Sequence, residues 1–386
     1  MKKGVLAGIG LLTENSRALE FVKRAALNDP TPSVRKEALY RLSRFELGEE
    51  VMATLETAIY QDTEVDVQKE ALYRLSQFDG EDAIQRMVDV AKSHKNTSVR
   101  KEAIYRLSQK RSSKKAIETL DDIVYTDPDV DVQKEALYRI AQMSNQVSVP
   151  RLIKVLETHG SVSVRKEALY RLSQKKSSKQ ALEMLDKLVF HDTNRSLQKE
   201  AVYRIAQFPN DKSVPPLINI AQTHEEISTR KEAMYRLSQK ASSKEGLEAL
   251  ETFAFDDPSV SLQKEAVYRI AQLPNPRSVP RLIKIAETHD DAAVRKETVY
   301  RLSQKQTSKE AIDALQRIVF DDPEVSIQKE TVYRIAQLPN SESIPRLIKI
   351  VENHPNRTVQ KEAIYRLGKI RDRRAIQALE KMVVED

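Results

Sequence analysis

Five of the six histidines, His94, His159, His224, His289 and His354, stand 65 residues apart. Imidazoles can ligate a metal or move protons, but the ligands of one ion must converge on it. A step that long separates each histidine from the next by whole folded units. A shared metal is therefore not expected, and the reading taken is a polar residue favourable at a helix C-terminus. His191 stands alone. Paired carboxylates occur at Asp121–Asp122 and Asp256–Asp257, in turns and solvated helix ends, where capping is expected rather than acid–base work. There is no cysteine, so disulfides, thiolate metal sites and cysteine nucleophiles are excluded. No G-x-x-x-x-G-K, G-x-S-x-G or H-E-x-x-H string occurs. The expectation is a chain that is not an enzyme and uses no cofactor and no metal.

A second constellation is far more regular. The string K-E-[Ala/Thr]-x-Y-R occurs eleven times, with its tyrosines at Tyr40, Tyr73, Tyr105, Tyr138, Tyr170, Tyr203, Tyr235, Tyr268, Tyr300, Tyr333 and Tyr365. The steps alternate 33 and 32, so the unit is a 65-residue pair in two flavours, VRKEALYRLSQ and LQKEAVYRIAQ. Chemistry available to such a set is recognition. Tyrosine and arginine are the types enriched at interface hot spots.

These residues need helices to position them. In the segment carrying the string, Val34, Ala38, Leu39, Leu42 and Phe45 form one apolar stripe at helical period, with Tyr40 and Glu37 opposite it and Lys36 and Arg41 flanking. Ser33, Asp66, Ser98, Asp131, Ser163, Ser196, Ser228, Ser261, Ser326 and Thr358 read as its N-caps, with Ala293 breaking the series. A second helix follows, as Ala116, Ile117, Leu120, Ile123 and Val124 show. Pro150, Pro215, Pro280 and Pro345 are expected in its first turn, and Asp257-Pro258 and Asp322-Pro323 at its end. Two such helices cannot bury their apolar faces alone, so neighbours must stack. The fold class is all-α, an α-solenoid of about eleven two-helix repeats in one continuous array over residues 1–386.

The turn Asp127 to Gln133, Asp-Pro-x-Val-x-[Val/Leu]-[Arg/Gln], and the following spacing of Ala168 and Leu172 resemble the HEAT-repeat family in its bacterial form. The resemblance covers essentially the whole chain. It implies a superhelix whose concave surface is lined by the helices carrying the string, here called B helices, and a role as a binding scaffold. It also implies that Arg35, Arg100 and Arg165, alternating with Gln68, Gln133 and Gln198, bond the preceding turn. The repeated Glu and Tyr-Arg depart from the family pattern.

MKKGVLAGIGLL has the look of a secretory signal, yet it overlays KEAIYRLGKI as a degenerate B helix, with SRALEFVKRAAL as its partner, and the repeat reading is preferred. Residues 1–30 form a degenerate first repeat and 359–386 the last. Neither end reads as a polar cap, which is what a piece of a longer array would show, and uncovered ends invite end-to-end self-association. The compartment stays open, with the cytoplasm favoured, and no run is long enough for a membrane span.

The candidate binding groove consists of the ten tyrosines Tyr40 to Tyr333 with Arg106, Arg139, Arg171, Arg204, Arg236, Glu135, Glu167, Glu200, Lys134 and Lys166. Its bland alternative is architecture: glutamate four residues before arginine stabilises a helix by about 0.2–0.5 kcal/mol, and that reading is taken for the pair. The wheel sets Tyr170 opposite Val164, Ala168 and Leu172, so the tyrosines are expected in an exposed groove, where Tyr203→Ala costs under about 1 kcal/mol; the competing possibility is partial burial, the ring covering the aliphatic part of a neighbouring lysine or arginine. The mixed signs suit a protein or peptide partner. A nucleic-acid solenoid, with lysine and arginine as a basic track and tyrosine stacking bases, and a structural spacer are the alternatives. A net charge of +7 predicts weak, salt-sensitive nucleic-acid binding.

Overall fold

The computed structural model describes residues 1–45 and 48–384, the last three by backbone alone. The described residues form 24 helices and no strand. They gather into two compact units, Met1–Met184 and Leu185–Asp386. Within each unit the B helices pack side by side in one layer and their partners, the A helices, in a second. The B helix Thr97–Gln109 buries Val99, Ala103, Ile104 and Leu107. The A helix Lys114–Thr126 buries Ala116, Leu120, Ile123 and Val124 against it. The degenerate N-terminal string does form a B-like helix, Lys2–Ile9, with Leu6 buried.

Two details of the sequence reading are corrected. The B helices begin earlier than the serine and threonine series implied, so those residues lie inside the first turn. The caps stand two positions before: Asn96, Asp129, Asn194, Asp291 and Asn356 accept from backbone N–H groups. Pro150, Pro215, Pro280 and Pro345 lie inside helices starting at Asn145, Asn210, Asn275 and Asn340. Ser144, Pro209, Pro274 and Pro339 stand at their N-caps, which moves each start upstream. Arg151 donates to the carbonyl of Val147 on the turn before it at 2.9 Å.

The two flavours correspond to two different locks between neighbouring repeats. In one, an arginine of the B helix reaches the aspartate ending the next A helix: Arg100 makes two bonds to Asp127, at 2.9 and 3.0 Å, and a third to the carbonyl of His94. Arg35 with Asp62 and Arg295 with Asp322 repeat the geometry. In the other flavour Gln68, Gln133, Gln198, Gln263 and Gln328 bond the turn carbonyl just before their own helix, at 2.7–2.9 Å. The resemblance anticipated this turn bonding, Arg165 bonding the carbonyl of Leu156 instead. It did not anticipate the ion pair.

The second lock is histidine. His94, His159, His224, His289 and His354 are buried, which corrects the helix-terminus explanation although the place is right. Nδ1 of His224 accepts from the backbone N–H of Glu226 at 3.0 Å, so the proton sits on Nε2, which donates to the carbonyl of Val189 in the preceding repeat at 2.9 Å. Each ring also lies 5.1–5.5 Å from an aromatic ring of that repeat, Tyr60, Tyr125, Phe190, Phe255 or Phe320. Asp257, read as a solvated cap, is likewise buried, with Arg230 on its carboxylate. Lys110, Lys240 and Lys305 add a third tie, each donating to a carbonyl at the end of the preceding B helix at 2.9–3.0 Å.

One pair in this scheme is broken. Asp121 is held by Arg151 at 2.8 Å and Glu251 by Arg281 at 3.2 Å. At the corresponding place Asp186 has a buried oxygen with no partner, because the arginine position is Pro216. Burial pushes the Asp186 carboxyl above the usual carboxylate range. Pro216→Arg is expected to raise stability by about 1–2 kcal/mol at neutral pH, by restoring a helix N–H and an ion pair. A raised native value makes the wild-type penalty absent at low pH and felt as pH rises through the carboxylate range. Denaturant melts should therefore show a larger gain at pH 7 than at pH 3; an equal gain would acquit Asp186.

Candidate binding surface

The face of each B helix opposite the core carries the repeated string, and its side chains form a continuous stack. In the first unit the rings of Tyr40, Tyr73, Tyr105 and Tyr138 each lie 4.6–4.9 Å from the guanidinium of the next residue in sequence. The arginine of the following repeat, Arg74, Arg106, Arg139 or Arg171, lies 4.5–4.7 Å from the same ring. Tyr170 carries Arg171 at 4.9 Å. In the second unit Tyr203, Tyr235, Tyr268, Tyr300 and Tyr333 repeat the pattern, with their own arginines at 4.7–4.9 Å and the next at 4.6–4.7 Å. Inside each stack an arginine therefore lies against two tyrosine rings, its own and its predecessor's.

Glutamate fixes the arginine in that slot. Nε of Arg106, Arg139, Arg171, Arg204 and Arg236 donates to Glu102, Glu135, Glu167, Glu200 and Glu232 on the same helix at 2.6–2.7 Å. The spacing reading of this pair is borne out as geometry. At the start of the first stack, where Ala7 stands in place of tyrosine, Gly10 makes room for the stem of Arg41. A Cβ there would lie 2.8 Å from Arg41 Cδ.

The tyrosines are thus neither core nor open groove. The ten from Tyr40 to Tyr333 are half-buried, and Tyr365 alone among them all is exposed. Each flanked ring carries two guanidinium contacts, so the cost expected for removing one rises above that of a bare groove residue. Tyr73, Tyr105, Tyr235 and Tyr300 each carry two guanidiniums, and those arginines are paired with glutamate. What these rings offer outward is an edge and a hydroxyl. Lys134 is half-buried and Lys166 exposed at the margin of the stack. Lys69 donates to Ser98 Oγ of the next B helix at 2.8 Å.

In nine of the eleven repeats the lysine, tyrosine and closing glutamine stand four residues apart, as Lys101, Tyr105 and Gln109 do, and share one ridge, with Arg44 and Lys369 in place of glutamine in the other two. The sequence reading quoted this glutamine in both flavours without singling it out. The visible signal was its recurrence on the polar side. Among the described residues no group of three potential metal ligands converges, and no helix is long and apolar enough to cross a membrane.

This architecture is that of a helical-repeat solenoid. The HEAT-repeat sequence pattern matches residues 52–141, 247–325 and 318–386, more than half of the chain. The chain belongs to the HEAT-repeat family. No curated protein matches it in sequence. Among solved structures it is similar to the karyopherin Kap121p bound to the SUMO protease Ulp1p, at 13% identity and a TM-score of 0.48, covering 95% of this chain and 45% of that one. It is similar to Kap95p, with RanGDP, at 13% identity and 0.41, over 93% and 56%. It is also similar to human deoxyhypusine hydroxylase at 20% and 0.29, over 84% and 96%. The chain spans about half the length of Kap121p.

A flanked ring makes two cation–π contacts of about 0.5–1 kcal/mol each. Tyr300→Leu is expected to lose about 1–2 kcal/mol in denaturant melts, whereas Tyr300→Phe, which keeps the ring, stays within about 0.5 kcal/mol of wild type. A large loss in both would mean that the hydroxyl, not the stack, matters.

Proposed function

We propose that this chain is a non-catalytic scaffold that holds a protein or peptide along its B-helix surface, at the tyrosine, arginine, glutamate and lysine positions named above. The observation that carries this reading is that the exposed ridge is both repeated and rigid. The stack fixes each tyrosine edge and hydroxyl in place, so a partner meets groups whose ordering cost is already met by folding. The A helices carry no tyrosine–arginine stack among the described residues; what recurs on every second one is a separate exposed i,i+4 pair, Lys114 with Glu118, Lys179 with Glu183 and Lys244 with Glu248. Nucleic acid fits less well, because the guanidinium-flanked rings and paired guanidiniums leave little for bases or phosphates beyond the lysines.

The test separates binding groups from architecture. A variant with Tyr105, Tyr138 and Tyr170 changed to Phe and Lys101, Lys134 and Lys166 to Gln keeps the ring stack and removes the groups that point outward. Affinity capture read by mass spectrometry should lose partners that wild type retains, with unchanged helicity by circular dichroism. Equal recovery of every partner would contradict the proposal.

A further inference from the structure

The closing glutamine of each repeat is the residue that the architecture does not account for. In the first unit Gln77, Gln109, Gln142 and Gln174 are exposed. In the second, Gln207, Gln239, Gln272, Gln304 and Gln337 are exposed as well. Their internal contacts are slight: Gln77 and Gln109 reach the preceding serine hydroxyl at 3.4 Å, and Gln239 accepts from Arg236 at 3.2 Å. The same amide nevertheless closes nine successive repeats.

A side-chain amide offers one donor group and one acceptor, the same pair that a peptide unit offers. The rows therefore present one peptide-like hydrogen-bonding group per repeat. The stack bounds the rise per repeat from above: the path from one ring to the arginine and on to the next ring is two steps of 4.5–4.9 Å. That is about 9 Å, within the usual 8–10 Å between packed helices. A β-strand repeats its orientation every two residues, about 6.7 Å, and three residues invert it. A polyproline II helix returns to the same orientation every three residues, after about 9.3 Å. Its turn matches the repeat.

Charge selects the side chains. Each rung carries a lysine and an arginine against one glutamate, and the glutamate is already bonded to the arginine. The lysine, one turn from tyrosine on the same ridge, carries the excess positive charge of the rung: Lys69 and Lys231 bond only a neutral serine hydroxyl, while Lys296 already meets Glu330. In the first unit a cleft of about 200 Å³ lined by Gln109, Arg111, Tyr138 and Gln142 opens between two rungs.

We propose that the B-helix surface takes an extended acidic polypeptide in the polyproline II conformation, its backbone bonded by the glutamine row and a carboxylate at every third position meeting the lysine row. This rests on the scaffold reading above and names its partner.

The test is fluorescence anisotropy of labelled (Glu-Pro-Pro)5 with the full chain, compared with (Lys-Pro-Pro)5, a block peptide of five Glu followed by ten Pro, and a dT15 oligonucleotide. The expected result is binding of (Glu-Pro-Pro)5, no binding of the lysine peptide and weaker binding of the block peptide. Changing Gln207, Gln239, Gln272 and Gln304 together to Ala should weaken binding about tenfold or more, the loss of several hydrogen bonds, with unchanged circular dichroism. No binding of (Glu-Pro-Pro)5, equal binding of the block peptide, or indifference to the glutamine changes would overturn the inference. If Lys199, Lys231 and Lys264 changed to Gln weaken binding while the glutamine changes do not, the inference falls and the scaffold reading stands. If dT15 binds more tightly than any peptide, both fall.

Discussion

Within each compact unit, successive tyrosine-bearing repeats are joined by a guanidinium that lies against two tyrosine rings. The cation is attracted to both rings, its N–H edge is taken by a glutamate one turn earlier, and the glutamate leaves it no other place to go. Because the arginine belongs to one helix and one of its rings to the previous one, the interaction acts across the repeat interface. Repetition of one hexapeptide string thus gives equal spacing along each B layer, which apolar packing alone specifies less tightly. The same arrangement explains why tyrosine is needed where no core is being filled: a shorter apolar side chain has no π face, and a free ring would have no fixed orientation.

Beneath the stack the interfaces alternate. An arginine–aspartate pair, desolvated and bonded to the turn carbonyl, closes one interface, and a neutral histidine bridging a carbonyl and an N–H closes the next. Aspartate and histidine occupy the same turn position, and each accepts from the N–H two residues on. They are two answers to one problem, the orphan groups where an A helix ends. That is why the period is a pair of repeats. Where the scheme lapses, as between Asp186 and Pro216, the consequence is an unpartnered carboxylate rather than a change of fold.

Much of this was legible in the sequence because repetition multiplies weak signals. A single apolar stripe such as Val34 to Phe45 is ordinary, but eleven in register set the helices, their pairing and the solenoid. The i,i+4 relation of Glu135 and Arg139 gave their contact directly. What was not legible depends on atoms far apart in sequence. The wheel placed Tyr138 outside the core but could not show that Arg171, more than thirty residues on, lies against the same ring. The burial of His224 follows from the carbonyl of Val189, again a long-range partner. The caps were misplaced by two residues because serine inside a first turn and asparagine before it carry the same sequence signal. Gln109 and its copies were visible throughout, and only their exposure without structural employment makes them informative.

A surface built this way is rigid because its aromatic row also holds the repeats together, so architecture and recognition share residues but use different atoms. Ring faces and guanidiniums serve the first; the proposed recognition uses the hydroxyl edges, lysines and glutamine amides. The central claim is that the arginine couples neighbouring repeats through the preceding ring. A double-mutant cycle of Tyr105→Leu and Arg139→Met, measured by denaturant unfolding, tests it most directly. The account predicts that the two losses are non-additive by about 0.5–1 kcal/mol, the worth of one such contact. Simple additivity would mean that the two side chains stabilise their own helices separately and that the stack does not join the repeats.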